Sequence, residues 1–270
     1  MKKILIVLFC LIASNTAFSQ TKDANYYAES GREYAKAGQY KQALEYYDKA
    51  IDINPDSDQA FHHRGICKAM TRDYEGAIRD YTKSISLNNN DYEVFYNRGV
   101  SLYYLKAYQD ALLDFNNSLK LNPDFEEPHF FKGYCYCGLK KYAEAINEFN
   151  TGLTANPHNA EGYVNRAICN IMLGNNAEAL DDATKSIAIN SGDMRAYDIS
   201  GQAKFLLGDF KGAESDFTIS VNNESGNIQA LYNRMSVRLE LGNNAGACED
   251  YKKLMALGEK TEPKMDGICK

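Results

Sequence analysis

Three residues near the start of the chain carry side chains that could bind a metal: His62, His63 and Cys67. His63 and Cys67 are four apart, which on a helix puts them on one face. A zinc site takes about four ligands, and the remaining histidines, His129 and His158, lie far away in sequence. A structural or solvated role is therefore expected, with no metal and no other cofactor. Cys135 and Cys137 are two residues apart, about 200° around a helix, so they cannot hold one ion together. No Walker loop, dinucleotide-binding glycine motif, G-x-S-x-G elbow or H-E-x-x-H occurs. Catalysis is not expected from this chain.

Acidic residues could supply acid–base chemistry, but here they arrive with cations. Arg64 precedes Asp80 by 16 residues, and the same spacing joins Arg98 to Asp114, Arg166 to Asp182 and Arg234 to Asp250. In one case both members change and keep their signs, to Lys132 and Glu148. In another both charges vanish, to Ser30 and Tyr46, and only Ser200 with Asp216 breaks the rule. The reading is a partly buried ion pair between two helices, within a unit or across neighbours, rather than a row of catalytic acids. Independent surface charge is the alternative.

The chain that must position these groups has 270 residues and a net charge of −6, with 44% apolar and 24% charged residues. That is ordinary for a globular protein and excludes collagen-like, multi-span and wholly disordered chains. Residues 1–19 read as a secretory signal: Lys2 and Lys3, an apolar run from Ile4 to Ala13, then Ala17 and Ser19 before a cut at Gln20. The residues before Cys10, Val7-Leu8-Phe9, lack the small side chains of a lipobox. Removing 1–19 leaves 251 residues and a charge of −8, with no further run of membrane-spanning length. Such an acidic product repels phosphate backbones, so nucleic acid is not an expected partner. The periplasm or the extracellular space is the expected location.

The organising pattern is an alanine every 34 residues: Ala43, Ala77, Ala111, Ala145, Ala179, Ala213 and Ala247. It divides residues 24–261 into seven units, 24–57, 58–91, 92–125, 126–159, 160–193, 194–227 and 228–261, followed by a tail, 262–270. The eighth place holds Gly31, Gly65, Gly99, Gly133, Ala167, Gly201 and Met235; the twenty-fourth holds Tyr47, Tyr81, Phe115, Phe149, Ala183, Phe217 and Tyr251. Small residues let two antiparallel helices approach, and rings fill the space beside them. Cys67, Cys135 and Cys169 share the tenth place with Ala203 and read as small core residues. Packed helices lie about 8–10 Å apart and a disulfide needs Cα atoms within about 7 Å, so Cys135 and Cys169 are poor disulfide partners. Pro55, Pro123 and Pro157 close three units, while Asn89, Ser191, Ser225 and Glu259 replace that proline, so those junctions are expected to be less sharply fixed.

Aromatic, Gly, Ala, aromatic and Pro at these offsets in a 34-residue period resemble the tetratricopeptide repeat. The resemblance implies an all-α, right-handed solenoid of seven helix–turn–helix units, in which each unit hides its apolar face against its neighbours. It also implies that the second, fifth, ninth, twelfth and thirteenth places of the first helices line a concave groove. Those places hold Glu93, Tyr96, Val100, Tyr103 and Tyr104 in the third unit. They hold Glu127, Phe130, Tyr134, Cys137 and Gly138 in the fourth, and Glu161, Val164, Ile168, Ile171 and Met172 in the fifth. An aromatic and aliphatic floor beside three Glu fits a protein or peptide partner with basic or amide groups. The tail is expected to fold back as a cap stapled by Cys248–Cys269, as paired cysteines close some secreted family members; two free thiols are the alternative. The function implied is a non-enzymatic interaction module or assembly scaffold of the bacterial cell envelope. The alternative is a structural protein that oligomerises through its convex face or ends.

Overall fold

The computed structural model describes residues 22–223, 226–259 and Cys269. The signal at 1–19 and the tail other than Cys269 lie outside the described residues, as does the Ser225 junction. Among the described residues there are fourteen helices and no strands. They form seven hairpins: α1 (Ala24–Lys36) with α2 (Tyr40–Ile53), α3 (Asp58–Met70) with α4 (Tyr74–Leu87), and α5 (Tyr92–Tyr104) with α6 (Tyr108–Leu121). The series continues with α7 (Glu127–Gly138) and α8 (Tyr142–Ala155), then α9 (Ala160–Leu173) and α10 (Asn176–Ile189). It ends with α11 (Met194–Leu206) and α12 (Phe210–Asn223), then α13 (Ile228–Glu240) and α14 (Asn244–Ala256).

Each helix packs on those directly before and after it. Successive first helices also touch, whereas successive second helices do not approach as closely. The stack therefore curves with the odd-numbered helices on its inner side. This is an all-α solenoid.

Side-chain size sets the closeness of each hairpin. A Cβ on Gly65 would lie 2.6 Å from the Tyr81 ring, and one on Gly99 would lie 2.7 Å from Phe115. The fifth unit makes the opposite exchange, Ala167 facing a position where Ala183 replaces the ring, and both alanines are fully buried. The turn inside each hairpin places its fifteenth residue in the left-handed region: Gly38, Gly174, Gly208 and Gly242, but also Arg72, Lys106 and Lys140. The three long side chains bear the Cβ crowding that glycine avoids.

The junctions between units do not depend on proline. Asn54, Asn88, Asn122, Asn156 and Asn190 each end a second helix, and each side-chain Oδ1 accepts from the backbone N–H two residues on. Asn88, followed by Asn89, has φ −146° and ψ 111°; Asn122, followed by Pro123, has φ −135° and ψ 93°. The expectation of looser junctions at Asn89 and Ser191 is thus corrected: the preceding asparagine makes the turn whether or not proline follows. Five of the first helices that follow a junction are then N-capped by Ser57, Asp91, Asn159, Asp193 or Asn227. The exception is α7, where Phe125 occupies the cap place and the helix starts later with Pro128 in its first turn.

Candidate peptide-binding groove

Because α7 starts late, Phe125 is free to turn into the inner face, where its ring centroid lies 4.9 Å from Tyr96 and 5.1 Å from Tyr92. Phe131 continues this cluster, edge-on to Tyr96 at 5.7 Å and to Tyr103 at 5.6 Å. Tyr134 lies 5.6 Å from Phe131 and packs on Phe149. The rings hold one another at the separations aromatic pairs prefer, so α5 and α7 present a rigid floor. Tyr104, at the end of α5, is 54% exposed and stacks on Tyr74 at 4.9 Å.

Above this floor is a cavity of about 450 Å³ lined by Tyr103, Tyr104, Glu127, Phe130, Phe131, Tyr134, Asn159, Glu161, Asn165 and Arg195. Four elements contribute: α5, α7, α9 with its cap, and α11. Two polar groups are already engaged. Asn159 Oδ1 accepts from Gly162 N at 2.7 Å, and Asn165 Nδ2 donates to the Glu161 carbonyl at 2.8 Å. Arg195 donates through Nε and Nη2 to Asp193, at 3.0 and 2.8 Å; that bond raises the guanidinium's pKa and lowers the carboxylate's. Glu127 and Glu161 are exposed. Burial raises the phenol pKa of Tyr134, with Glu161 adding to it, and likewise raises that of Tyr103. Both therefore stay neutral hydroxyl donors.

The structure brings together Tyr103, Tyr104, Phe130, Tyr134, Glu127 and Glu161. Others go elsewhere. Glu93 is exposed outside the cavity, 3.3 Å from the Tyr92 hydroxyl. Tyr96 is half-buried within the ring cluster. Val100 packs around Ala111 and Phe115, and Ile171 packs against Ala167 and Ala203. Ile168 is exposed but does not line the cavity.

Phe130 requires a correction. It is only 4% exposed, and a Cβ on Gly152 or Gly162 would meet its ring at 2.9 or 2.7 Å. It reaches between α8 and α9, so it is a core residue that closes the back of the cavity. His62 and Val164 occupy the same fifth place and are equally buried. Sequence reading missed Phe131, whose place has no counterpart in the groove pattern, and Asn159, Asn165 and Arg195.

The charged pairs stand apart from the groove. Arg98 donates through Nε and Nη2 to the two Asp114 oxygens, each at 2.7 Å, and through Nη1 to Thr82 of the preceding unit at 3.1 Å. Arg64 does the same with Asp80 and with Asp48 of the unit before, and Arg166 with Asp182 and Asn150. Arg234 binds Asp250 and reaches Thr218. One guanidinium thus clamps its own hairpin and ties it to its neighbour, so both geometries left open by the sequence occur together. In the fourth unit Lys132 lies 2.7 Å from Glu148, and His129 supplies the second contact, also at 2.7 Å. The sixth unit, which has no arginine at this place, uses Lys204 on Asp216 at 2.6 Å. In the first unit, where both charges vanish, Tyr34 stacks on Tyr46 at 5.0 Å. The eleventh place supplies Tyr34 and Lys204, as well as Lys68 on Asp80 and Arg238 on Asp250. It was missed because its residue type changes from unit to unit.

The possible metal ligands are occupied otherwise. Among the described residues, no three His, Cys, Asp or Glu side chains converge to hold an ion. His62 is buried, 3.0 Å from Asn97 Nδ2, and stacks on His63; burial and His63 push its pKa down to about 4. Burial also pushes the Cys67 thiol up to about 11. Cys248 and Cys269 are joined by a disulfide with Cα atoms 5.2 Å apart. Cys137, placed in the groove by its position, instead meets Cys169, with the sulfurs 2.8 Å apart.

Three family models match the chain, described as TPR repeat over residues 31–68 and as Tetratricopeptide repeat over 92–125 and 132–193. No curated protein matches it. Among solved structures, a tetratricopeptide repeat protein from Parabacteroides merdae has a TM-score of 0.65 at 20% identity, covering 91% of this chain and 97% of that one. Pseudomonas aeruginosa pilF has a TM-score of 0.67 at 19% identity, covering 77% and 94%. YrrB, described as a TPR protein with an unusual peptide-binding site, has a TM-score of 0.58 at 23% identity, covering 65% and 90%. At these identities the likeness is one of fold. With its alanine ladder, its seven hairpins and the three family matches, the chain is a tetratricopeptide repeat protein.

Proposed function

We propose that this protein is a non-enzymatic interaction module that takes an extended peptide segment of its partner into the cavity between α5, α7, α9 and α11. The repeat family generally mediates protein–protein interaction. The observation that carries the reading is the cavity itself: about 450 Å³, floored by a mutually packed set of rings and bordered by two exposed carboxylates. Rigid aromatic surface of this kind binds with little loss of side-chain entropy. Glu127 and Glu161 favour a cationic side chain in the segment, and the rings around it offer their negative faces to the same charge. Arg195, held by Asp193, favours a backbone carbonyl or carboxylate nearby.

The setting proposed is the bacterial envelope, outside the cytoplasm, where the protein would act as an assembly scaffold. The apolar run at Ile4–Ala13 behind two lysines supports this, and so does the Cys248–Cys269 disulfide, since such bonds persist in oxidising compartments.

The test uses labelled ten-residue peptides with one Lys or Arg among apolar residues, against the same peptides carrying Asp. Glu161→Gln should weaken the basic series about tenfold, and Tyr104→Ala should weaken both series, with helicity unchanged. Equal affinity for both series, unaffected by either change, would refute the reading. Phe130 is unsuitable for this test because its removal would open the core.

A further inference from the structure

Cys137 and Cys169 are contributed by α7 and α9, the first helices of two successive units, and their sulfurs lie 2.8 Å apart. A disulfide has its sulfurs about 2.05 Å apart, so closing the bond needs a movement of less than about 1 Å. The same two places fall in one cluster at other junctions: Ala35 with Cys67, Ile171 with Ala203, Phe205 with Val237. Only between the fourth and fifth units are both residues cysteine. Cys137 is half-buried, one turn along α7 from the cavity residue Tyr134, whereas Cys169 is fully buried.

We infer that Cys137 and Cys169 form a thiol–disulfide exchange site that reversibly cross-links the fourth and fifth units beside the groove. The co-reactant is a disulfide, either a small one such as oxidised glutathione or that of an oxidoreductase. The Cys137 thiolate attacks one sulfur of the incoming disulfide; a mixed disulfide forms and one thiolate leaves. Cys169, losing its proton to that thiolate, then attacks the Cys137 sulfur, and the second thiolate leaves. Two thiols have been oxidised to one disulfide, and one external disulfide has been reduced to two thiols. The order follows from access and acidity. Cys137 is reached first, and the hydrogen bond it shares with Cys169 lowers its pKa while raising that of Cys169. Cys135, two residues away and fully buried, has its thiol pushed up to about 12 and stays out of the exchange.

The experiment equilibrates the full chain with oxidised or reduced glutathione, unfolds it, alkylates all free thiols and reads each cysteine by peptide mass spectrometry. In oxidised glutathione, alkylation at Cys137 and Cys169 should fall about tenfold, with a Cys137–Cys169 peptide that disappears on reduction, while Cys67 and Cys135 stay alkylated. A stable glutathione adduct on Cys137 without the cross-link, or a cross-link through Cys135, would overturn the assignment. The variant Cys169→Ser should instead stop at a glutathione adduct on Cys137. If it gives no adduct, Cys137 is not the entry point and the inference fails.

Discussion

The Arg98–Asp114 pair gives a clean test of the inter-helix clamp. Asp114 is 3% exposed and, among the described residues, is met by a single cation, through two hydrogen bonds of 2.7 Å. Asp80 and Asp250, by contrast, each have a second cation. Replacing Arg98 with Met keeps the packing of the aliphatic stem but strands a carboxylate away from water. That should cost about 3–5 kcal/mol. Replacing Asp114 with Leu strands a guanidinium whose side chain is 20% exposed, so the cost should fall at the lower end of that range. The double variant removes both charges, and its cost should be within about 2 kcal/mol of wild type, so the coupling between the sites should be at least about 4 kcal/mol.

Urea unfolding followed by far-ultraviolet circular dichroism gives these energies. A solenoid can unfold piecemeal, so the analysis should use a nearest-neighbour model and not assume two states. Thr82→Val isolates the link to the preceding unit and should cost about 1 kcal/mol through loss of one neutral acceptor. A coupling below about 0.5 kcal/mol would mean that the two side chains behave as independent surface charges, and the clamp would have no energetic content.

Three further outcomes are expected from the same unfolding assay. Gly65→Ala brings a Cβ to 2.6 Å from the Tyr81 ring, so it should destabilise by about 1–3 kcal/mol despite alanine's better helix propensity; no loss would mean the ring can move. Lys106 has φ 61°, so Lys106→Gly relieves about 1–2 kcal/mol of left-handed strain against about 0.4–1 kcal/mol of added unfolded-state entropy, a net gain of up to about 1.6 kcal/mol. A loss of stability there would show that the lysine side chain contributes something the turn geometry does not reveal. The folded-state pKa of His62 is depressed to about 4, so the unfolded chain takes up the proton first. Stability present above about pH 6.5 should fall by up to about 3 kcal/mol as pH drops towards 4, and His62→Val should lose that part of the slope; identical slopes would refute the assignment.

The sequence made the fold legible because one quantity, side-chain size at the eighth and twentieth places, decides whether two helices can approach. The alanine ladder therefore carries the architecture without regard to which rings or charges surround it. The fifth unit shows the rule holding through substitution, since Ala167 is admitted where Ala183 has given up the ring.

The groove was less legible because it draws on places that the family pattern does not assign. Phe125, at the cap place of α7, adds its ring to the floor, and the sixth place supplies Phe131 and Asn165. Phe130 is buried for a different reason: the fifth place faces the next unit, and Gly152 and Gly162 leave room there for a ring. The eleventh place escaped notice on the same principle. A buried carboxylate demands a partner, but Lys68, Lys204, Arg238 and Asn170 can each provide one from that place, so the constraint falls on the contact and not on the residue. Size complementarity and the Arg–Asp clamp leave a periodic trace in sequence, whereas a carboxylate's second partner or a floor ring can come from several places and leaves none. Places in this chain whose residue type changes from one unit to the next are therefore where compensating contacts are found, as at the eleventh place.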